Sequence, residues 1–314
     1  MLKTDAITVS YEGSLPLSRG RLRPTSRRHK NELREKFFEV FFFLCAMASV
    51  AAVLLICGFL FAGGIPAMAK IGFFDFILGK RWSPADSPAL FGILPMILGS
   101  IYVTLGAVCF GVPVGILTAV FLARCCPKFL YRILHPAVEL LAGIPSVVYG
   151  FFGLIVIVPF VRQYIGGNGR SMLTAAILLG IMILPTVITV SEAAIRAVPE
   201  SCYEGARALG AAHEHSVFFA VLPAARSGIL AAVVLGLGRA MGETMAVIMV
   251  AGNQARMPQG ILKGVRTLTS NIVMEMGYAA DLHREALIAT GVVLFVFILC
   301  INLSLALLKR RARP

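Results

Sequence analysis

The sequence predicts an all-α, polytopic membrane protein with about six transmembrane helices. Three observations lead there. Of 314 residues, 58% are hydrophobic and 14% are charged, where a soluble domain carries about 25% charged residues. Uncharged stretches recur that match the roughly 20 helical residues a bilayer core needs. Most of the net charge of +13 comes from the two ends of the chain, which hold 13 of the 29 Lys/Arg and only four Asp/Glu. That pattern holds tails on the inner side of a membrane and argues against nucleic-acid binding.

Residues 1–36 hold nine Lys/Arg against four Asp/Glu, a basic arm expected in the cytoplasm. Residues 37–314 form the transmembrane domain. The first span, 40–65, runs 26 residues without a charge. A signal-peptide apolar region is only about 7–15 residues, so this span is a retained anchor. Residues 66–86 carry Lys70, Lys80, Arg81, Trp82 and Pro84. They read as a surface loop or interfacial helix with Trp82 near the headgroups. Residues 87–123 are uncharged for 37 residues, long for one span. Pro95, Gly99, Gly106, Gly111 and Pro113 would bend a single tilted helix; a hairpin of two helices is the alternative.

Arg124, Lys128 and Arg132 make a short basic turn. The third and fourth spans are 140–161 and 171–191, the fifth is 227–252 and the sixth is 286–308. The chain ends on a second basic cap. Six spans put both termini on one side, and their charge places that side in the cytoplasm. The loops discriminate poorly, with three Lys/Arg at 124–132 and four at 253–285.

Seven cysteines are present: Cys45, Cys57, Cys109, Cys125, Cys126, Cys202 and Cys300. Four lie in apolar runs and three in expected cytoplasmic segments, so small buried hydrophobes are expected rather than disulfides. Cys125-Cys126 and His213-x-His215 lack the ligand set of a metal site. No P-loop is present, since Gly166 to Ser171 lacks the spacing and the Lys. No nucleophile–base pair stands out. The chain is therefore expected to be no enzyme, to bind no metal or cofactor, and to leave any ATP hydrolysis to another chain. One internal echo exists: Ile144-Pro145-Ser146-Val147-Val148 resembles Leu184-Pro185-Thr186-Val187-Ile188. Proline frees a backbone carbonyl that Ser or Thr can satisfy, and matched helix breaks can line a path for a substrate. Two ordinary proline kinks are the plainer alternative.

Two constellations carry chemistry. In Gly236-Leu237-Gly238-Arg239-Ala240-Met241-Gly242-Glu243-Thr244, an Arg at membrane depth costs about 2.5–3.5 kcal/mol and must face protein or water. Its planar fork suits phosphate or sulfate oxygens. Glu243, four residues on, is expected on the same helix face, so a self-neutralising pair is the alternative. The glycines allow close approach by a helix or a ligand. The second lies in a loop at about 192–226, where Glu204-Gly205-Ala206 is followed by Gly210 and then by Val221-Leu222-Pro223.

That loop resembles the EAA loop of importer-type ABC permeases: Glu-Ala-Ala, three residues, Gly, nine residues, Ile, any residue, Leu-Pro. The spacing matches throughout, with Gly205 where Ala is usual and Ala220 where Ile is usual. Further strings narrow the resemblance to the C-type permease subunit of the bacterial phosphate-specific transport system (PstC-type). They are Leu222 to Ile229, the GLGRAMGETMAV run from Gly236, Phe91 to Pro95, Gly143 to Gly150 and Arg266 to Ile272. The resemblance covers most of residues 90–280, and the first 36 residues match nothing comparable.

It implies a type I ABC importer permease (MetI-like) fold, the inner membrane of a bacterium as the localisation, and ATP-driven import of inorganic phosphate by alternating access. The implied partners are a second related permease subunit (PstA-type), two ATP-binding subunits (PstB-type) and a periplasmic phosphate-binding protein (PstS-type). Arg239 and Glu243 match the family's charged pair in the transport path. Thr244, Ser146, Thr186 and the Arg266–Asn271 loop are further path candidates. Glu204, Gly205, Ala206, Gly210, Leu222 and Pro223 would couple to the ATPase, Gly210 turning the chain and Pro223 starting the next helix. The alternatives are another oxyanion (sulfate, molybdate, phosphonate) or an ATP-independent anion channel or carrier.

Overall fold

A computed structural model describes residues 27–311. The part of the basic arm at 1–26 and the end of the cap at 312–314 lie outside the described residues. The chain divides into two units, 1–56 and 57–314. In the first, helix α1 (Arg27–Ile71) carries exposed Phe41, Leu44, Leu54 and Leu55, an apolar surface suited to lipid.

The remainder lies in the second unit. The end of α1 packs on α13 (Asp281–Arg311), where Gly64 leaves no room for a Cβ beside Val292 and Ala289. Residues 66–86, expected as a surface loop or an interfacial helix, hold more structure than either. Helix α1 continues through Pro66, α2 (Phe73–Leu78) follows, and strand β1 (Trp82–Ser83) pairs antiparallel with β2 (Leu90–Phe91). Trp82 is 6% exposed, buried against protein. The reason is a partner inside, because its Nε1 donates to Glu275 Oε2 at 2.8 Å.

Helix α3 (Leu94–Val120) is single and runs on into a π turn at Phe121–Cys125; no hairpin forms. Pro95 sits in its first turn, where it removes no hydrogen bond. Gly111 and Gly115 are packing positions. They face α7 (Met172–Arg196), and a Cβ on Gly111 would meet the Gly180 carbonyl oxygen at 2.7 Å. Small residues four apart let the two backbones close up.

The expected third span is broken. Helix α4 (Lys128–Gly143) is separate, and the span consists of α5 (Ser146–Phe152), a π turn at Gly153–Ile157 and α6 (Val158–Tyr164). Pro145 disfavours the helical conformation at Ile144, which is extended at ψ 127°. The echo at Pro185 has a different outcome, since α7 passes through it unbroken. Beyond α7 come α8 (Glu200–Ala208) and α9 (His213–Ser216). Helix α9 runs through a π turn (Val217–Val221) into α10 (Leu222–Gly242), so Pro223 does not start a helix. Each of the three π turns ends two residues before a proline: Pro127, Pro159 and Pro223. At Pro159 and Pro223, where the helix runs on, a widened turn shifts the carbonyl that the proline ring would otherwise strike; at Pro127 the helix has already ended, with Cys126 extended.

The expected fifth span is cut at Glu243–Thr244, and α11 (Met245–Val250) follows. The buried α12 (Leu268–Glu275) precedes α13. Among the described residues, six helices are long and apolar enough to cross a membrane. All seven cysteines are free, as expected, but none is buried. An apolar run places a side chain toward lipid as readily as toward the core.

Two buried carboxylates tie the ends of this bundle. At one end Glu275, 8% exposed, accepts from Arg266 NH1 and Trp82 Nε1 and lies 2.9 Å from His283 Nε2. At the other, Glu192, 3% exposed, accepts from Arg196 Nε at 2.8 Å and Tyr131 OH at 3.0 Å, joining α4 to α7. Burial, with Glu192 beside it, pushes the Tyr131 phenol up, so it keeps its proton to donate. Removing one partner of a buried pair costs about 3–5 kcal/mol, so Glu275→Ala should lower stability by that amount. Glu275→Gln, which still accepts from Trp82, should cost less. Denaturation midpoints of the full chain in nanodiscs check the order.

Candidate functional site

Arg239 lies on the last turn of α10, half-buried, where the helix is about to stop. Its NH1 donates to Thr186 Oγ1 on α7 at 3.4 Å. No carboxylate pairs with it among the described residues. The expected Arg239–Glu243 pair does not form, because the two do not share a helix. Glu243 is extended at ψ 132°, and its Oε1 accepts from the backbone N–H of Thr244 at 3.1 Å and of Ala246 at 3.4 Å. The carboxylate is used to satisfy the first amides of α11, where a negative charge also meets the favourable end of the helix dipole. The Glu243 carbonyl in turn accepts from Thr269 Oγ1 of α12 at 3.1 Å. Thr244 Oγ1 donates to the Gly242 carbonyl at 3.3 Å.

The glycines around Arg239 divide by face. A Cβ on Gly236 would meet Val187 at 2.9 Å, which seats α10 on α7. Gly238 and Gly242 look onto open space. The guanidinium therefore stands between a packed face and an open one. Helix α5 brings Ser146 to the head of its first turn, just past the Pro145 break. No hydrogen bond joins Ser146 to Arg239 among the described residues. The break there is closed by Tyr149, whose OH donates to the Leu141 carbonyl at 2.8 Å. Helices α5 and α11 meet at Gly150, where a Cβ would come within 2.9 Å of Ala246 Cα. The structure thus joins Arg239 to Thr186, turns Glu243 and Thr244 to closing a break, and leaves Ser146 apart. The cavity beside the α4–α5 break, about 410 Å³ and lined by Leu141, Val148 and Phe152 among others, is apolar and unfit for an anion.

The loop of small residues behaves differently. No residue of α8 is buried. Glu204 and Gly205 are exposed, Ala206 is half-buried, and Leu209 is 91% exposed. Gly210 adopts φ +86°, a left-handed conformation that glycine takes at no steric cost. Arg124 holds the head of α8 through Glu200 at 2.7 Å, and Tyr203 OH lies 2.8 Å from His213 Nδ1. Leu222 packs against the cluster around Val217, Val221 and Ala225, while Pro223 is exposed. Glu204 to Gly210 thus form a projecting knob and Leu222 part of its mount.

Arg266 and Asn271 do not face an open mouth. Arg266 NH1 donates to Asn271 Oδ1 at 3.0 Å and its Nε to the Asn253 carbonyl at 3.1 Å, besides its bond to Glu275. Sequence reasoning missed Glu275, Glu192 and Tyr149, and held Thr269 only as an unnamed part of the Arg266–Asn271 loop. One signal was readable for Glu192, because Arg196 stands four residues on, a spacing that pairs on one helix face. For Thr269 no local signal exists, since its partner is 26 residues away.

Comparison with known proteins matches residues 111–314 to the family model described as binding-protein-dependent transport system inner membrane component. A protein of Bacillus subtilis described as "Probable ABC transporter permease protein YqgH" is 38% identical, covering 88% of this chain and 93% of that protein. The phosphate transport system permease protein PstC of Mesorhizobium japonicum is 34% identical over 86% of this chain and 90% of its own length. Among solved structures, a chain of a bacterial alginate ABC transporter superposes with a TM-score of 0.64 at 16% identity, covering 88% of this chain and 96% of that one. A chain of the MetNI methionine ABC transporter does so with a TM-score of 0.58 at 20% identity, over 71% and 96%. The fold is that of a type I, MetI-like ABC importer permease.

The geometry at Glu243 distinguishes a cap from a charge pair. Loss of a capping side chain costs about 0.5–2 kcal/mol. Glu243→Ala should lower stability by that much, and Glu243→Gln, which keeps an acceptor oxygen, by markedly less. Equal losses in thermal unfolding would instead point to a needed negative charge.

Proposed function

This chain belongs to the family of binding-protein-dependent transport system inner membrane components, as the permease subunit of an ABC importer and not an enzyme, and from that premise we propose that its cargo is inorganic phosphate. The observation that carries the reading is Arg239: a guanidinium at membrane depth with a single hydroxyl partner, no paired carboxylate among the described residues, and glycines on its open side. A charge left free there at an insertion cost of about 2.5–3.5 kcal/mol needs a compensating role. A phosphate dianion passing along the open face of α10 supplies the acceptor oxygens its fork lacks. Thr186 orients the guanidinium from α7. Glu243 and Thr244 hold the helix break beside it, so Arg239 stands near an opening rather than inside a rigid rod. Ser146, at the Pro145 break, lines the path more distantly. The phosphate permease relative from Mesorhizobium japonicum supports the same cargo.

The rest of the assembly follows the same proposal. The open face of α10 meets a second, related permease subunit, and the path lies between the two. The α8 knob, with Glu204, Gly205, Ala206, Leu209 and Gly210, enters a groove on one of two ATP-binding subunits, which hydrolyse the ATP. This chain itself holds no cofactor. Leu222 and Pro223 pass the motion into α10, which runs from the knob to Arg239 as one helix. A periplasmic phosphate-binding protein delivers cargo to the opposite end. Both termini then lie in the cytoplasm with α8, and their basic residues hold them there.

Uptake of radiolabelled phosphate in cells lacking their own high-affinity importer, with partner subunits co-expressed, tests the proposal. Arg239→Gln should cut uptake by about 10- to 100-fold, the loss of one charge-assisted contact of about 1.5–3 kcal/mol, with the complex still assembled. Glu204→Lys should abolish uptake by weakening attachment of the ATP-binding subunits. Unchanged uptake in the Arg239 variant would remove it from the path. Inhibition by sulfate, molybdate or a phosphonate stronger than by phosphate would replace the cargo.

A further inference from the structure

At the end of the bundle away from α8, a polar cavity of about 400 Å³ is lined by Arg170, Arg256, Lys263, Gln254, Asn168 and Gly252 among others, with no carboxylate in its lining. Its three cations come from three separate segments: the loop before α7, the stretch after α11, and the strap at 260–265. Backbone bonds fix these together. Met172 N donates to the Lys263 carbonyl at 3.0 Å, Ser171 N to Val250 at 3.1 Å, and Val265 N to Ala251 at 2.9 Å. Gly252, at φ +81°, sits where a Cβ would meet the Arg170 carbonyl oxygen at 3.0 Å and Gly264 Cα at 3.1 Å. The cavity is therefore part of the fold and not a chance gap between loose loops.

Its charges are uncompensated. Arg170, Arg256 and Lys263 are exposed and make no ion pair among the described residues. Two other basic groups at this end are matched, Lys70 with Glu285 at 2.7 Å and Arg266 with Glu275. Arg256 NH2 donates to Gln254 Oε1 at 2.6 Å, which orients its fork on the cavity wall. Three like charges around one concavity repel each other, and a counter-ion seated among them relieves that. Two forks and one ammonium suit an ion with several oxygens and more than one negative charge. The location also matters. Gly252 closes the end of α11, whose six residues span about 9 Å. The cavity thus lies one short helix from the Glu243–Thr244 break and the Arg239 end of α10.

We infer that this cavity is a staging site for a multivalent oxyanion at the outer mouth, built from Arg170, Arg256 and Lys263 and distinct from the Arg239 site. It gathers cargo by charge next to the path, before the path opens. The staging role rests on the proposed oxyanion cargo; the binding does not.

The test uses the complete complex in nanodiscs, carrying Arg239→Gln to silence the inner site, without the delivering protein. Equilibrium binding of radiolabelled inorganic phosphate is measured at low ionic strength, with sulfate and chloride as competitors. The inference expects saturable binding that sulfate displaces and equimolar chloride does not. Combined Arg170→Gln, Arg256→Gln and Lys263→Gln should weaken it by at least about tenfold, the scale of one lost charge-assisted contact. Lys263→Gln alone, at an exposed side chain, should weaken it by a few-fold and carries the test if the triple variant fails to assemble. Equal binding with and without the three charges overturns the inference. So does a triple variant that keeps its phosphate binding but, when the delivering protein is added back, no longer attaches it, which would make the cavity a docking point for an acidic surface. Binding of sulfate but not phosphate keeps the site and removes phosphate as the cargo. Normal Arg239-dependent phosphate uptake with no binding at the cavity does the reverse.

Discussion

A peptide group inside hydrocarbon has no water to bind, so any break in a spanning helix must be closed by protein. That constraint organises this molecule around two breaks. At Pro145 the chain leaves helical geometry, and the Tyr149 hydroxyl returns to the Leu141 carbonyl. At Glu243–Thr244 the Glu243 carboxylate takes up amides of α11, and Thr269 reaches across from α12 to the Glu243 carbonyl. The half-helices that start at these breaks, α5 and α11, pack on each other at Gly150. Arg239 ends the helix that leads into the second break. The groups with open valences for a ligand are therefore those left over once the breaks are closed.

The same accounting explains why the bundle holds its shape at both ends. Glu275 and Glu192 are buried carboxylates, each matched by an arginine and by a donor from another element. A buried ion pair is weak evidence of net stability against an apolar substitute. Its value here is positional. Glu275 fixes the β1–β2 hairpin and α12 on α13, so Thr269 stays in reach of the second break. Glu192 fixes α4 to α7 beside α8. Under the proposed coupling role, that mount holds α8 in place against α10.

Prolines show how much of this was legible. Pro145 and Pro185 stand in nearly the same pentapeptide, yet one breaks its helix and the other does not. Pro185 is buried within α7, whose packing against α3 and α10 holds the helix through the missing hydrogen bond. Pro145 lies at the exposed end of α4, where nothing opposes the break. Pro223 was readable as a helix start because proline favours that position. The π turn before it absorbs the ring instead, and α9 to α10 stays continuous. Local sequence gave the site of strain in each case, and the surroundings chose how it was relieved.

The sequence by itself determined the class, the number of spans and the knob at Glu204 to Gly210. Those follow from composition and from short-range spacing, which act before any tertiary contact forms. It also singled out Arg239, because a charge in an apolar run is visible in one dimension. The tertiary structure decided what Arg239 touches, since Thr186 lies 53 residues away. It also turned Glu243 from the expected pair to the cap of α11, because the backbone breaks between the two residues. And it drew Arg170, Arg256 and Lys263 around one cavity. Hydrogen bonds between segments made those assignments, and their partners are too far apart in the chain for spacing to reveal.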